Sequence, residues 1–390
     1  AMYQNNMNVG YNTYDNAANG GVGALTTIAA MFLSGTSTPN SNANYTITNN
    51  SIKLTNAATS AGSFYGVYAA GGGNVLVNAN TFSAASTGAG TNSFIMCISA
   101  TANHNSYVAS NNIFTNINVN TSGTLSLIYS SSPAQFVTIS NNVTVGTVTR
   151  STTGGATYLL YSAGSPTAGV HNVYGNNFSN FSNLISGTTY GCYYLSGSSI
   201  GVGPDLNIYN NTFSNYTTNG ITFGIGIGYG KNNAVYNNLI SNYTATGSTI
   251  GLNIGTNVTN QLVYGNNINN LTSSGTSAIS GINMASSAAS IVAISKNKIY
   301  GLRSNTTTTG TVNGILLGSG NALTNVFNNV IGDLTAPTGV STTDQVRGIS
   351  ITSTTLNSVF NIYYNSIYLS GSSSGATFGA SGIFRSEERR

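Results

Sequence analysis

The chain has 390 residues, of which 40% are hydrophobic and 4% charged, with a formal net charge of +4. Soluble domains carry roughly 25% charged residues, so an ordinary globular surface is excluded, and disorder is excluded because it needs few apolar residues and a high net charge. No stripe of Lys and Arg exists to neutralise phosphates, which argues against nucleic-acid binding.

Residues 1–43 lack the motif that dominates the rest of the chain. No signal peptide opens them, and the apolar stretch Val22 to Leu33 is too short and too broken to cross a bilayer, so membrane insertion is not expected. The run GALTTIAAMFLSG has the phase of a Gly-led strand and predicts a partial first coil. An amphipathic capping helix is the alternative for 1–43.

From residue 44 to 384 the sequence repeats itself. The recurring unit is Asn-x-(Ile/Phe), often preceded by Asn and by Tyr or Phe, as in ITNNSI, VYGNNF, IYNNTF and VFNNVI. Its key asparagines are Asn50, Asn80, Asn112, Asn142, Asn176, Asn211, Asn238, Asn266, Asn297, Asn329 and Asn365. Their spacing runs from 27 to 36 residues, with a mean of 31.5. A second motif keeps phase with the first: a short apolar strand, commonly opened by Gly, as in YGVYA, YGCYYLS, GLNIG, GINMA and GILLG. Runs of Ser, Thr, Gly and Ala between the strands vary in length and absorb the differences in period. The chain closes on a charged segment, 385–390, read as a tail or the start of a linker.

Strands of constant phase joined by loops of variable length describe a solenoid, with strands as core and loops projecting. β-branched and aromatic residues are plentiful and helix formers few. The predicted fold is therefore all-β: a right-handed parallel β-helix of about eleven to twelve coils with a mean period near 31 residues. Asparagine tolerates the left-handed backbone, so each repeated Asn is read as a corner post. Stacked in successive coils, the amides form a ladder, and the residue two places on enters the core. Cys97 and Cys192 fall at similar phase three coils apart. At about 4.8 Å per coil they lie beyond disulfide reach, which predicts two buried free thiols.

The motifs VYNNLISN, VYGNNINNL, VFNNVIGDL and IYYNSIYLSG, alternating with GINMA, GILLG and GISIT, resemble the Asn/Gly-rich β-helical repeat regions of large secreted surface proteins of Bacteroidetes and related bacteria. The resemblance covers roughly residues 44–384. It implies an extracellular or cell-surface location, adhesion or a fibrous role, and often a type IX export route with a separate C-terminal sorting domain.

Polysaccharide-cleaving β-helices need paired carboxylates, or carboxylates with Lys or Arg, on one face. Asp333 and Asp344, with Arg347 nearby, are a conceivable pair, but they read better as solvated turn residues. His104 and His171 are isolated and suggest no metal site. GIGIGYGK at 224–231 fails the phosphate-loop spacing. Lys296, Lys298 and Arg303 read as a solubilising cluster, with binding of an acidic glycan as the sharper alternative. The threonines 306–309 raise an ice-binding array, which irregular coil lengths disfavour. Tyr174, Tyr209, Tyr236 and Tyr264 lie beside the asparagine motif. Pointing outward they form an aromatic stripe for sugars or neighbouring fibres; pointing inward they are core.

The expectation is a structural extracellular surface protein that forms or decorates a fibre, with self-association or a longer parent chain as its partner. A carbohydrate-binding adhesin that meets glycans is the alternative. A polysaccharide lyase or hydrolase ranks below both. Neither enzymatic activity nor a cofactor is expected.

Overall fold

A chain of β-branched and aromatic residues interrupted every few positions by Gly, Ser and Asn makes short strands joined by corners. The computed structural model describes residues 6–386, apart from 17–26, 34–42, 57–61, 72, 100–103, 153, 185, 198, 200, 276, 287–290, 342, 370–372 and 376. Of the charged segment 385–390, the last four residues lie outside the described residues, and Arg385 ends a strand.

Each coil lays one strand on each of three faces. One coil runs Val170–Tyr174 on the first face, Asn177–Asn183 on the second and Thr189–Tyr194 on the third. Strands pair in parallel with their counterparts in the neighbouring coils, as Val170–Tyr174 does with Asp205–Tyr209. The second face is a separate sheet, whose order places twelve strands in succession. The first and third faces merge into one sheet of 22 strands. They merge because Thr222–Tyr236 and Thr249–Tyr264 run unbroken through the corner that other coils fill with a loop.

The three described strands before residue 44 belong to this stack. Asn6–Gly10, Thr13–Asp15 and Thr27–Leu33 pair with the corresponding strands of the next coil. The strand Thr27–Leu33 lies within the predicted Gly-led segment and takes the third face.

The corner between the first and second faces carries the asparagines, and here the sequence reading needs a correction. The residues in the left-handed region are those just before the repeated asparagines: Asn49, Ala79, Asn111, Asn141, Gly175, Asn210, Asn237, Gly265, Lys296, Asn328 and Tyr364, with φ between 54° and 65°. The asparagine that follows has another task. Its side-chain oxygen accepts from both the backbone N–H and the Nδ2 of the asparagine one coil earlier, at 2.8–3.1 Å throughout. Its own Nδ2 also reaches back to a carbonyl of the preceding coil, as Asn211 does to Val173 and Asn238 to Ile208, both at 2.9 Å. Asn12 joins the same ladder through Asn50, a rung the sequence reading missed. The ladder therefore runs unbroken from Asn12 to Asn365.

Two residues after each ladder asparagine a side chain enters the core: Phe82, Phe114, Phe178, Phe213, Ile240, Ile268, Ile299 and Ile331 are all buried. The third-face glycines make room for this row. A Cβ on Gly224 would lie 2.5 Å from the Gly251 carbonyl and 2.7 Å from the Ile240 side chain. The Gly-led strand and the Asn-x-Ile motif are thus two halves of one contact. Burying such a side chain is worth about 2 kcal/mol, so the repeat is maintained by packing as well as by hydrogen bonds.

Cys97 and Cys192 occupy one inward column, with Ile128 and Leu160 between them. Both are buried and free. Burial pushes the Cys97 thiol up to about 12, partly offset by its 2.9 Å contact with the Tyr107 hydroxyl.

Candidate binding surface

Most of the residues singled out for chemistry are scattered around the coil. Asp333 lies on the second face with φ of 50°, four residues after Asn329. The same left-handed position is held by Asn180, Asn215, Asn242, Asn270 and Gly301 in the coils before it. Asp344 precedes the third-face strand Val346–Ile351, where its main-chain oxygen accepts from Arg347 Nε at 2.6 Å. The two carboxylates belong to different faces, and no hydrogen bond or ion pair joins them among the described residues. Arg347 stacks its guanidinium 3.6 Å over the Phe384 ring.

His171 points inward, with Nε2 at 2.8 Å from the Ala134 oxygen and Nδ1 against the Tyr194 hydroxyl. Burial lowers its pKa to about 4, against a smaller upward pull from the Ala134 carbonyl. His104 is buried in a different coil. Lys296 fills a left-handed corner, Lys298 stands exposed on the second face, and Arg303 bonds Asn305 at 2.7 Å. Thr306 is buried, and its hydroxyl meets that of Thr308 at 2.8 Å within a loop. The run 224–231 is part of the long strand Thr222–Tyr236. Among the described residues no three His, Cys, Asp or Glu side chains gather as a metal site would require.

Arg150 was not singled out from the sequence. It is fully buried and donates to the carbonyls of Thr121, Gly155 and Gly123 and to Thr157 Oγ1. Burial lowers its pKa to about 10. Its partners are three backbone oxygens and one hydroxyl, so it closes a corner from inside.

The four predicted tyrosines lie together on the outer side of the first face, alternating with inward Val173, Ile208, Val235 and Val263. Tyr174, Tyr209, Tyr236 and Tyr264 stack with centroids 5.0, 4.9 and 4.8 Å apart and interplanar angles of 11°, 1° and 2°. Stacking covers the faces of the inner rings with other rings. What the column offers solvent is ring edges and hydroxyls, together with one free face at each end.

A second aromatic patch sits on the third face. Tyr158, Tyr161, Tyr190 and Tyr193 share one outer surface, with Tyr158 and Tyr190 centroids 5.4 Å apart and Tyr161 and Tyr193 5.7 Å apart. The pairing skips one residue between Tyr190 and Cys192, so side chains three apart face the same way. Burial, followed by repulsion from Tyr129, Tyr158 and Tyr193, pushes Tyr161 up to about 12. The repeated Tyr-x-x-Tyr of YGVY, YLLY and YGCY was the available signal, but strict two-residue alternation hides it.

Beside the first tyrosine column the first face is hollowed. A groove of about 610 Å³ is bounded at its two ends by Val170 and Ile291. Its polar row is Asp205, Asn232 and Asn260, and its second row is Asn207, Ala234 and Leu262. Tyr209, Tyr236 and Tyr264 stand two residues further along the same strands. The cause lies in the loops. The two coils beneath the groove are the shortest, at 27 and 28 residues between ladder asparagines, and their strands replace the corner loop. The previous coil keeps that loop, whose Gly201 leans toward Thr259, where a Cβ would meet its hydroxyl at 3.2 Å. Within the polar row Asn260 donates to Asn232 and Asn232 to Asp205, each at 2.8 Å.

No protein-family model matches the chain, and neither a curated protein nor a solved structure matches it.

Proposed function

We propose that this chain is the shaft of an extracellular fibre on a bacterial surface. The observation that carries this reading is the buried asparagine ladder, which ties each coil to the next by the same bonds from Asn12 to Asn365. A section repeated in this way is stiff along its axis, and length is gained by adding coils. The chain then works as a load-bearing spacer and not as an enzyme, and it associates with further coils of its own kind. Electron microscopy of the intact native protein tests this: slender rods or filaments projecting from the surface are expected, and dispersed compact particles overturn it.

The second reading is an adhesin whose outer surface meets glycans. It is favoured by the groove on the first face, where amides and a carboxylate lie beside exposed aliphatic and half-buried aromatic side chains. The shaft and the adhesin are compatible, because the first concerns the interior and the second the outer surface. Binding of the intact protein to a glycan array is the test, and an array without hits removes this second reading.

A further inference from the structure

We infer that the first-face groove binds a segment of an uncharged oligosaccharide laid along the axis of the solenoid. The inference rests on the adhesin reading and gives it a place and a ligand class.

The groove has the size of a ligand cleft, about 610 Å³ against roughly 300–1,000 Å³ for small-molecule sites. Its polar row combines donors and acceptors. Asp205 uses one oxygen for Asn232 and keeps the other; Asn232 and Asn260 each keep a second amide N–H. These groups recur once per coil, at about 4.8 Å, along a line parallel to the axis. A chain of hydroxyl-bearing rings presents its groups to such a row in sequence. Leu262 in the opposite row and Ile291 at the end of the polar row supply apolar contact. Leu262 and Ile291 are 50% and 53% exposed, and Ala234 beside Leu262 leaves the floor low. Exposed aliphatic surface next to amides suits the C–H faces of pyranose rings, while the amides take the hydroxyls.

Charge narrows the class. The lining contains one carboxylate and no cation. A uronic acid or a phosphorylated chain would bring its negative charge onto Asp205, so an uncharged glycan is the fit. A peptide in extended form is disfavoured on separate grounds. Strand addition needs a free sheet edge, whereas the strands lining the groove are already paired with coils on both sides.

The test uses the whole chain on an array of neutral hexose and N-acetylhexosamine oligosaccharides printed beside polyuronates. Three variants accompany it: Asn232→Ala and Leu262→Ser in the groove, and Tyr161→Ser in the third-face aromatic patch. All three side chains face outward, so the coil packing is left in place. The expected result is binding of neutral glycans in preference to polyuronates, weakened at least about tenfold by each groove variant and unchanged by Tyr161→Ser, the size expected for a lost central contact. Glycan binding that survives both groove variants, or falls with Tyr161→Ser alone, overturns the groove and leaves the adhesin reading standing. A preference for polyuronates overturns the ligand class. An array with no hits overturns the groove and the adhesin reading together.

Discussion

Two columns of asparagine stack at the same spacing, the inner from Asn12 to Asn365 and the outer over four successive coils, and they are held by opposite means. The inner column, which includes Asn211, Asn238 and Asn266, is almost wholly buried, and each amide serves the coil before it and the coil after it. The outer column, Asn180, Asn215, Asn242 and Asn270, lies exposed on the second face. Its amides make one bond per step, at 2.9–3.0 Å. The outer residues adopt the left-handed backbone and the inner ones do not. The inner position therefore selects for the side chain, and the outer for the backbone. This is why Gly301 and Asp333 can stand in the outer column while asparagine holds every rung of the inner one.

The sharpest way to break this comparison is Asn238→Ala. It strips the acceptor from the buried Asn211 backbone N–H and a donor from the Ile208 carbonyl, while Asn211 Nδ2 loses one of its three acceptors. Buried groups left without partners cost about 1–3 kcal/mol each, so a loss of about 4 kcal/mol is expected. Solenoids open coil by coil, so native-state hydrogen exchange at the amides of that coil and the next is the measurement. Protection equal to the unsubstituted chain would mean that the ladder is ornamental.

A smaller effect is expected from pH. His171 stays neutral in the folded chain down to about 4, below the usual 6.5, because burial disfavours its charged form. The unfolded chain binds a proton as pH falls below 6.5, so stability declines between 6.5 and about 4 and levels off below. The full span corresponds to about 3 kcal/mol. Urea midpoints across this range read it, and the decline should flatten in His171→Gln.

The smallest effect belongs to the outer column. Asn242→Gly is expected to change stability by less than about 0.5 kcal/mol, and Asn242→Ala to cost about 1 kcal/mol through the left-handed backbone. Thermal melts of the two variants side by side check this. An alanine tolerated as well as glycine would show that the left-handed backbone is not fixed at this position.

What could be read from the sequence follows the same division. Features that repeat in chemistry were legible: Asn-x-Ile, the Gly-led strand, their common phase, and the separation of Cys97 from Cys192. The left-handed corner was assigned to the wrong neighbour, because the residues that occupy it vary between Asn, Ala, Gly, Lys and Tyr while the ladder residue is constant. A constant residue draws the eye even when the strain lies beside it. The third-face aromatic patch escaped because a skipped residue turns a spacing of three into a shared side. The groove left its mark only as two short intervals, 27 and 28 residues, which carry meaning once the missing corner loop is known to be its opening.

The inner ladder also has a sense of direction. Each rung turns its amide oxygen toward the N-terminal end and its backbone N–H and one amide N–H toward the C-terminal end, while the other amide N–H reaches back. The parallel strands share that polarity, so the rod resembles a row of arrows more than a row of posts. Two such rods meeting head to head would set oxygen against oxygen, and tail to tail N–H against N–H. Head to tail, the donors of one meet the acceptors of the other. Axial assembly through this ladder would therefore be polar and open-ended.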